Sequence, residues 1–369
     1  MHILITGGAG FIGSHLADEL LRRGHDVSAL DNMAAQVHGE AAERPDYLHP
    51  AVALHRGDVR NAAAVRAALQ GVDVVYHLAA AVGVGQSMYE IEHYTSTNNL
   101  GTAVVLQELV RRPVQRLIVA SSMSIYGEGL YVRSDGTVVS AAERELDQLK
   151  AGDWEPHDDR GEALVPLPTP ETKTPALSSV YALSKYDQER MCLMVGRAYG
   201  IPTVALRLFN VFGTRQALSN PYTGVLAIFA SRLLNGNAPL IFEDGLQRRD
   251  FVSVYDVVQA LCLALDSPDA PGQAFNIGSG RSYTVCEVAD MLRTVLNRAN
   301  RPEVCGKYRV GDIRHCFADI TLAARVLGYR PAVTLEDGIA ELACWLGAQT
   351  AHDRVAVASR ELSERGLTV

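Results

Sequence analysis

The feature that most constrains this chain is an alternation that runs through its first third. Short apolar runs rich in β-branched residues, HILIT (2 to 6), DVSALD (26 to 31), VALHRGD (52 to 58), DVVYHLAA (73 to 80) and RLIVASS (116 to 122), are separated by segments whose apolar residues recur with helical spacing. Strands buried on both faces and joined by helices form parallel sheets with right-handed crossovers. The expected fold is therefore α/β, a doubly wound parallel-sheet Rossmann domain, followed by a smaller mixed α/β substrate domain. The boundaries expected are 1–214 for the first domain, with an insertion at 128–178 and return segments near 250–262, then 215–350 for the second and 351–369 for a C-terminal tail.

Between Gly127 and Ser178 the alternation stops, and charged residues and prolines take over. Within that segment only SAAERELDQL (140 to 149) has a helical pattern, opening on a capping box of Ser140 with Glu143. The α/β pattern resumes with a helix from about 179 to 199 and a strand TVALRLFNVFG (203 to 213). The second region should contain the strand QAFNIGSG (273 to 280) and a helix opened by a capping box of Thr284 with Glu287. The tail has no clear apolar stripe and is expected to be loosely held.

The first strand runs into Gly7, Gly8, Gly10 and Gly13, and a helical pattern follows. Glycine costs folding entropy, so such a cluster implies a tight turn or a close approach to the backbone. A strand, a glycine turn and a helix N-terminus together aim backbone N–H groups at an anion such as a pyrophosphate. Asp31 closes the second strand, where a carboxylate accepts from the hydroxyls of an adenosine ribose and repels a 2′-phosphate. The expected cofactor is NAD rather than NADP.

Tyr181 and Lys185 stand one helical turn apart in YALSK. A phenol has a pKa of about 10 and is a poor base at neutral pH. An ammonium about 4 Å away would favour the phenolate by about 4 kcal/mol at an effective dielectric near 20, before desolvation is subtracted. The pair is therefore a candidate general base, unless Tyr181 is simply a core residue beside a snorkelling lysine.

The formal charge of -8 argues against nucleic acid as a partner, since phosphate neutralisation needs a basic face. No apolar run reaches membrane-spanning length, and the N-terminus lacks a signal-peptide pattern, so no membrane association and a cytoplasmic location are expected. The six cysteines have neither disulfide nor zinc-ribbon spacing. His157, Asp158 and Asp159 lack further ligands at suitable spacing, and no metal is expected.

Taken together, TGGAGFIG (6 to 13), Asp31, Asp58 with Val59, LAA (78 to 80), NNLGT (98 to 102), SSMSIYG (121 to 127), YALSK (181 to 185), RLFNVFG (207 to 213), QRRDFVSVYDV (247 to 257) and RVGDIRHCFAD (309 to 319) resemble the extended short-chain dehydrogenase/reductase family, in particular its NAD-dependent nucleotide-sugar epimerases and dehydratases. The resemblance implies that Gly7, Gly10, Phe11, Ile12, Gly13, Asp31 and Asn32 hold the dinucleotide, Asp58 and Val59 its adenine, and Leu78, Ala79, Ala80 and Asn98 its middle. Tyr181 and Lys185 would also touch the cofactor. It implies Ser122, Tyr181 and Lys185 as the catalytic set, and Ser124, Asn210, Arg249 and Arg309 as contacts to a nucleotide-diphosphate sugar.

Dehydratases and decarboxylases of the family carry a carboxylate just after the serine, where this chain has Met123 and Ser124. The resemblance therefore implies epimerisation at C4 through a 4-keto intermediate. The segments SSMSIYGEG and RQALSNPYTG, with the insertion, are most similar to the dTDP-L-rhamnose 4-epimerase group, whose product would be dTDP-6-deoxy-L-talose. A UDP-hexose 4-epimerase, a C2 epimerase, a dehydratase and a non-catalytic NAD-binding regulator are the alternatives. The insertion would be a lid presenting Arg133 or Trp154, or else a solvated excursion. A homodimer is expected through the helices that carry Asn98 and Tyr181, using Val104, Val105, Leu109, Met191, Leu193 and Met194.

Overall fold

The computed structural model describes residues 1–40, 43–222, 224–349 and 351–368. The alternating segment folds as β1 (His2–Thr6), α1 (Phe11–Arg22), β2 (Asp26–Asp31), β3 (Ala53–Arg56), α2 (Ala62–Ala68), β4 (Val74–His77), α3 (Gly101–Arg111) and β5 (Arg116–Ser122). It continues through α4 (Val180–Tyr199) and β6 (Thr203–Leu208). Downstream come α5 (Val225–Leu234), α6 (Val254–Asp266), β7 (Ala274–Ile277), α7 (Val285–Val295), α8 (Leu335–Leu346) and α9 (Val355–Glu364).

Seven strands form one sheet in the order β7-β6-β5-β4-β1-β2-β3, and every pairing is parallel. Apolar side chains fill both faces. Ile3, Ile5 and Tyr76 pack with α1 and α6 on one side, and Leu4, Val75 and Leu117 pack with α2, α3 and α4 on the other. This two-sided burial explains why the strands read as continuous apolar runs. The strand order reverses between β1 and β4, and the crevice at the carboxyl ends of those strands is where such sheets bind ligands.

Helix α6 returns to pack on this sheet beside α1 within and just past the segment 250–262, and the chain re-enters the sheet itself at β7. The strand at 273–280, assigned from sequence to the second region, is the edge strand β7. A separate apolar core joins Phe212, α5, α7 and α8, and this is the core of the smaller region. The capping box of Thr284 with Glu287 opens α7.

Two local expectations fail. The helix foreseen at 140–149 is only Leu146–Lys150, and Glu145 precedes it without a side-chain cap, so the Ser140–Glu143 box does not form. Arg144 is instead drawn into buried pairs with Glu128 and Glu243, which removes that turn from the helix. The tail is not loose: α9 buries Ala358 and Leu362. Val355, Ala358 and Leu362 have helical spacing, and their apolar stripe is short but real.

Candidate active site

The four glycines of the first loop have different reasons to lack a side chain. Gly7 has φ 72° and lies so close to strand β4's exit that a Cβ would fall 2.9 Å from the Ala79 nitrogen. A Cβ on Gly8 would strike Ala29, and one on Gly13 would lie 2.4 Å from the Gly7 carbonyl oxygen. Gly10 differs, because its Cβ would meet nothing nearer than the Gly7 oxygen at 3.4 Å. Packing within the protein does not demand glycine there, whereas a ligand lying against the backbone would. Gly10 also stands at the N-cap of α1 without a side-chain cap, so the first N–H groups of the helix face the turn free to bind an anion.

Asp31 is buried at the end of β2, with its oxygens accepting from the Ala9 N–H at 3.1 Å and the Met33 N–H at 2.9 Å. Each oxygen keeps further acceptor capacity for a ribose hydroxyl. His38 approaches the same carboxylate at 3.6 Å. Asn32 donates to Asp58, and Arg60 grips Asp58 through both Nε and Nη2, holding its carboxyl down at about 2. Val59 is buried beneath Gly101. Leu78, Ala79 and Ala80 follow β4 into the crevice. The Asn98 side chain is fully engaged, accepting from the Ala81 N–H and donating to the Ala81 carbonyl and the Ser184 hydroxyl, so it shapes the strand exit. Together, an open cradle at Gly10, an uncapped helix end and a carboxylate on the neighbouring strand fit an NAD-type dinucleotide.

Ser122 ends β5, and its Oγ accepts from the Ser124 N–H at 3.2 Å and the Ser124 hydroxyl at 2.9 Å. Helix α4 is capped by Ser179, whose Oγ accepts from the Ala182 N–H. This cap places Tyr181 in the first turn, and its backbone N–H donates to Ser87 Oγ at 3.0 Å. The Tyr181 ring is met edge-on by Tyr94, with centroids 6.3 Å apart. Lys185 is buried one turn later and donates to the Ala120 carbonyl at 2.7 Å and to Gln188 Oε1 at 2.6 Å. Gln188 continues the network to Thr102, which with Thr6 brackets the His77 ring.

The electrostatics differ from the simple pairwise expectation. Burial raises the Tyr181 phenol, opposed by a hydrogen bond with Ser122. The Lys185 ammonium is held on the Ala120 carbonyl and Gln188 rather than on the phenol oxygen. Burial also holds Lys185 down at about 8. Two of its three hydrogens are committed, and one is left for a ligand.

A cavity of about 270 Å³ opens beside Ser124 and Ser179. Asn210, Arg249 and Arg309 all line it, as do Val355, Ala358, Ser359 and Leu362 of α9, whereas Tyr181 and Lys185 do not. Asn210 Oδ1 is buried without a partner, as a group awaiting a donor would be. Arg249 is fixed by donation to the Arg314 carbonyl at 2.8 Å and to the Ile313 carbonyl. Arg309 pairs bidentately with Asp312 and stacks over Phe242.

The insertion does not present Arg133 or Trp154 to this cavity. Arg133 pairs with the exposed Asp159, and the Trp154 carbonyl accepts from Arg144. Its three short strands, Leu130–Val132, Val138–Val139 and Val165–Leu167, form a small antiparallel sheet. Glu128 at its start and Glu155 between its second and third strands bind Arg314 and His315. The insertion is therefore a brace behind the segment that carries Arg309 and holds Arg249. Of the apolar residues expected at a dimer face, Val105, Leu109 and Leu193 are buried in the chain's own core, Val104 and Met191 are partly buried against it, and Met194 is exposed; Leu100 and Leu183, not named from the sequence, are exposed as well.

Ser87, Gln188 and the residues of α9 were not anticipated. Gln188 sits three positions after Lys185 on the same helix face, a legible signal. Ser87 has no local signature, because its partner is 94 residues away. Among the described residues, no helix is long and apolar enough to cross a membrane, and no cluster of three or more metal-ligating side chains occurs.

The model of the NAD dependent epimerase/dehydratase family matches residues 3–144 and 160–278. The dTDP-L-rhamnose 4-epimerase of Burkholderia thailandensis is 35% identical over 351 residues, 94% of this chain and 95% of that protein. A putative UDP-glucose 4-epimerase of Methanocaldococcus jannaschii is 30% identical over 93% of this chain and 98% of its own length. Among solved structures, the UDP-glucuronic acid 4-epimerase of Bacillus cereus in complex with UDP-glucuronic acid and NAD superposes with a TM-score of 0.76 at 27% identity, covering 94% of this chain and 99% of that one.

Proposed function

The chain belongs to the NAD dependent epimerase/dehydratase family, and from that premise we propose that it inverts C4 of a nucleotide-diphosphate sugar, with dTDP-L-rhamnose and dTDP-6-deoxy-L-talose as its substrate pair. The observation that carries this reading is what stands beside Ser122. Met123 and Ser124 follow it, and among the described residues lining the cavity the only carboxylate is Asp312, which Arg309 already binds. Elimination of water across C5 and C6 needs a base for the C5 proton, and among the described lining residues no uncommitted carboxylate can serve. Oxidation and reduction at a carbinol carbon need only the phenol. The relative with the same proposed substrate also covers nearly the whole chain.

In this account, bound NAD supplies a reversible hydride acceptor. Tyr181 takes the proton of the C4 hydroxyl as the carbon is oxidised and returns it when the opposite face is reduced. Ser122, with its hydroxyl oriented by Ser124, hydrogen-bonds the same oxygen. Lys185 is held by Ala120 and Gln188 and would have one N–H left for the cofactor's ribose. Arg249 and Arg309 hold the diphosphate, where planar guanidinium groups suit two adjacent anionic centres. The sugar turns while that anchor stays fixed. We also propose a homodimer through the helices that carry Asn98 and Tyr181, where Leu100, Leu183 and Met194 leave an apolar face.

The test is to incubate the purified protein, with no added NAD, with a panel of dTDP- and UDP-hexoses and to follow the ring protons by NMR. Inversion at C4 of dTDP-L-rhamnose is expected. Absence of inversion in every member of the panel would overturn the proposal.

A further inference from the structure

We propose that α9 is the sugar-selecting wall of the cleft, where Leu362 and Ala358 receive the C6 methyl group of a 6-deoxyhexose in preference to a hydroxymethyl or carboxylate group. This rests on the nucleotide-sugar reading above and assigns specificity within it.

The placement of α9 carries the argument. Val355, Ala358, Ser359 and Leu362 line the same cavity as Ser124, Arg249 and Arg309. Leu362 lies against the short helix Val84–Ser87, since a Cβ on Gly85 would be 3.4 Å from Leu362 Cδ2 and 3.9 Å from Arg309 Cδ. Ser87, at the end of that same helix, holds the backbone of Tyr181. The wall therefore stands beside Arg309 and against the short helix that fastens the backbone of Tyr181. Phe229, Leu240, Ile241, Phe242 and Val285 also line the cavity, an apolar set that suits a flat nucleobase.

The helix is fastened rather than draped. Glu361 accepts from the hydroxyls of Tyr89 and Tyr222, both at 2.9 Å, and Arg365 stacks over the Tyr89 ring at 4.3 Å. After the helix, the Leu367 carbonyl accepts from the Val310 N–H at 2.9 Å, beside Arg309. Before it, the His352 N–H donates to Ser219. Loops from both sides of the cleft are thus tied to α9, which fixes where Leu362 points.

Chemistry then decides what the wall admits. Three of the four cavity-facing residues of α9 are apolar, and burying an unpaired hydroxyl against them is unfavourable. A carboxylate would need a cation. Among the described residues lining the cavity the only cations are Arg249 and Arg309, which the diphosphate requires. A methyl group meets neither penalty.

The experiment measures affinity by calorimetry on the NAD-loaded protein, with matched ligands that differ only at C6: dTDP-L-rhamnose against dTDP-L-mannose, and dTDP-D-fucose against dTDP-D-galactose. Binding is read independently of turnover, so a protein that inverts none of them would count against the epimerase reading while the C6 ratio still tests the wall. The 6-deoxy member should bind about tenfold tighter, the discrimination a small apolar contact provides. Leu362→Ser and Ala358→Ser should each reduce the ratio to near unity, and Leu362→Met should preserve it. Val357→Ala, on the exposed face of α9, should leave it unchanged. Equal affinity for both members of each pair in the unaltered protein, or a ratio that survives both serine variants, would overturn the proposal.

Discussion

The backbone N–H of Tyr181 donates to Ser87 Oγ at 3.0 Å, and the Ser87 hydroxyl in turn donates to the Val84 carbonyl at 2.6 Å. The first turn of α4 would otherwise leave that N–H without a partner. The helix that carries the phenol is thereby tied to the helix that lines the cavity. Ser87→Ala should cost about 1–3 kcal/mol, the penalty of an unsatisfied buried donor. It should lower kcat more than it raises KM, because the phenol's position is disturbed and the diphosphate anchors are not. Thermal melts and steady-state kinetics check both parts.

Tyr181→Phe removes one oxygen from a packed site and leaves the glycine turn, Asp31 and Lys185 in place. Turnover should fall by about 100-fold or more, the usual contribution of a positioned acid–base group. The NAD content of the purified variant, released by heat and measured by absorbance, should equal that of the parent. A variant of near-normal rate would remove the phenol from its role.

Acid should destabilise the fold through buried histidines. Burial holds His77 down at about 3 and His15 at about 4, against an ordinary value of 6.5. Between those values and 6.5 the unfolded chain binds more protons than the folded one, so stability falls as pH falls. Their contribution is fully present above about 6.5 and is lost progressively toward pH 3. Melting temperature measured from pH 7 to pH 4 should decline, and His77→Asn, whatever its effect at pH 7, should make the decline shallower.

The brace behind the segment that carries Arg309 can be cut at Arg314. Its side chain is 1% exposed and is paired with Glu155, Glu243 and Asp244. Arg314→Ala would leave these carboxylates facing one another without their cation, and removing one partner of a buried ion pair costs about 3–5 kcal/mol. The Arg314 carbonyl also fixes Arg249. A large fall in melting temperature should therefore come with a raised KM for the nucleotide sugar, and folded variant should still hold NAD.

What could be read from the sequence follows the range of the interactions involved. The glycine turn, Asp31, the five leading strands and the Tyr181–Lys185 pair are local patterns, because strand burial, turn geometry and helix periodicity act over a few residues. The role of Gly10 as an open cradle also needed only its neighbours. The function of the insertion was not legible, since Arg144 and Arg314 are 170 positions apart and yet share Glu243. Alone, each is an ordinary arginine. The fate of the Lys185 ammonium was hidden for the same reason, because Ala120 lies on another element. The stripe of α9 is different. Its spacing was present at Val355, Ala358 and Leu362, and only its brevity concealed it.

The central claim is that hydrogen leaves C4 of the bound sugar and returns to the same carbon from the other side, with Tyr181 handling only the hydroxyl proton. The direct measurement uses dTDP-L-rhamnose deuterated at C4, incubated in ordinary water with the purified protein and no added NAD, and read by NMR and mass spectrometry. The account predicts a product of inverted C4 configuration with the deuterium still on C4. Deuterium lost to solvent, or a product with its C4 configuration unchanged, would contradict it.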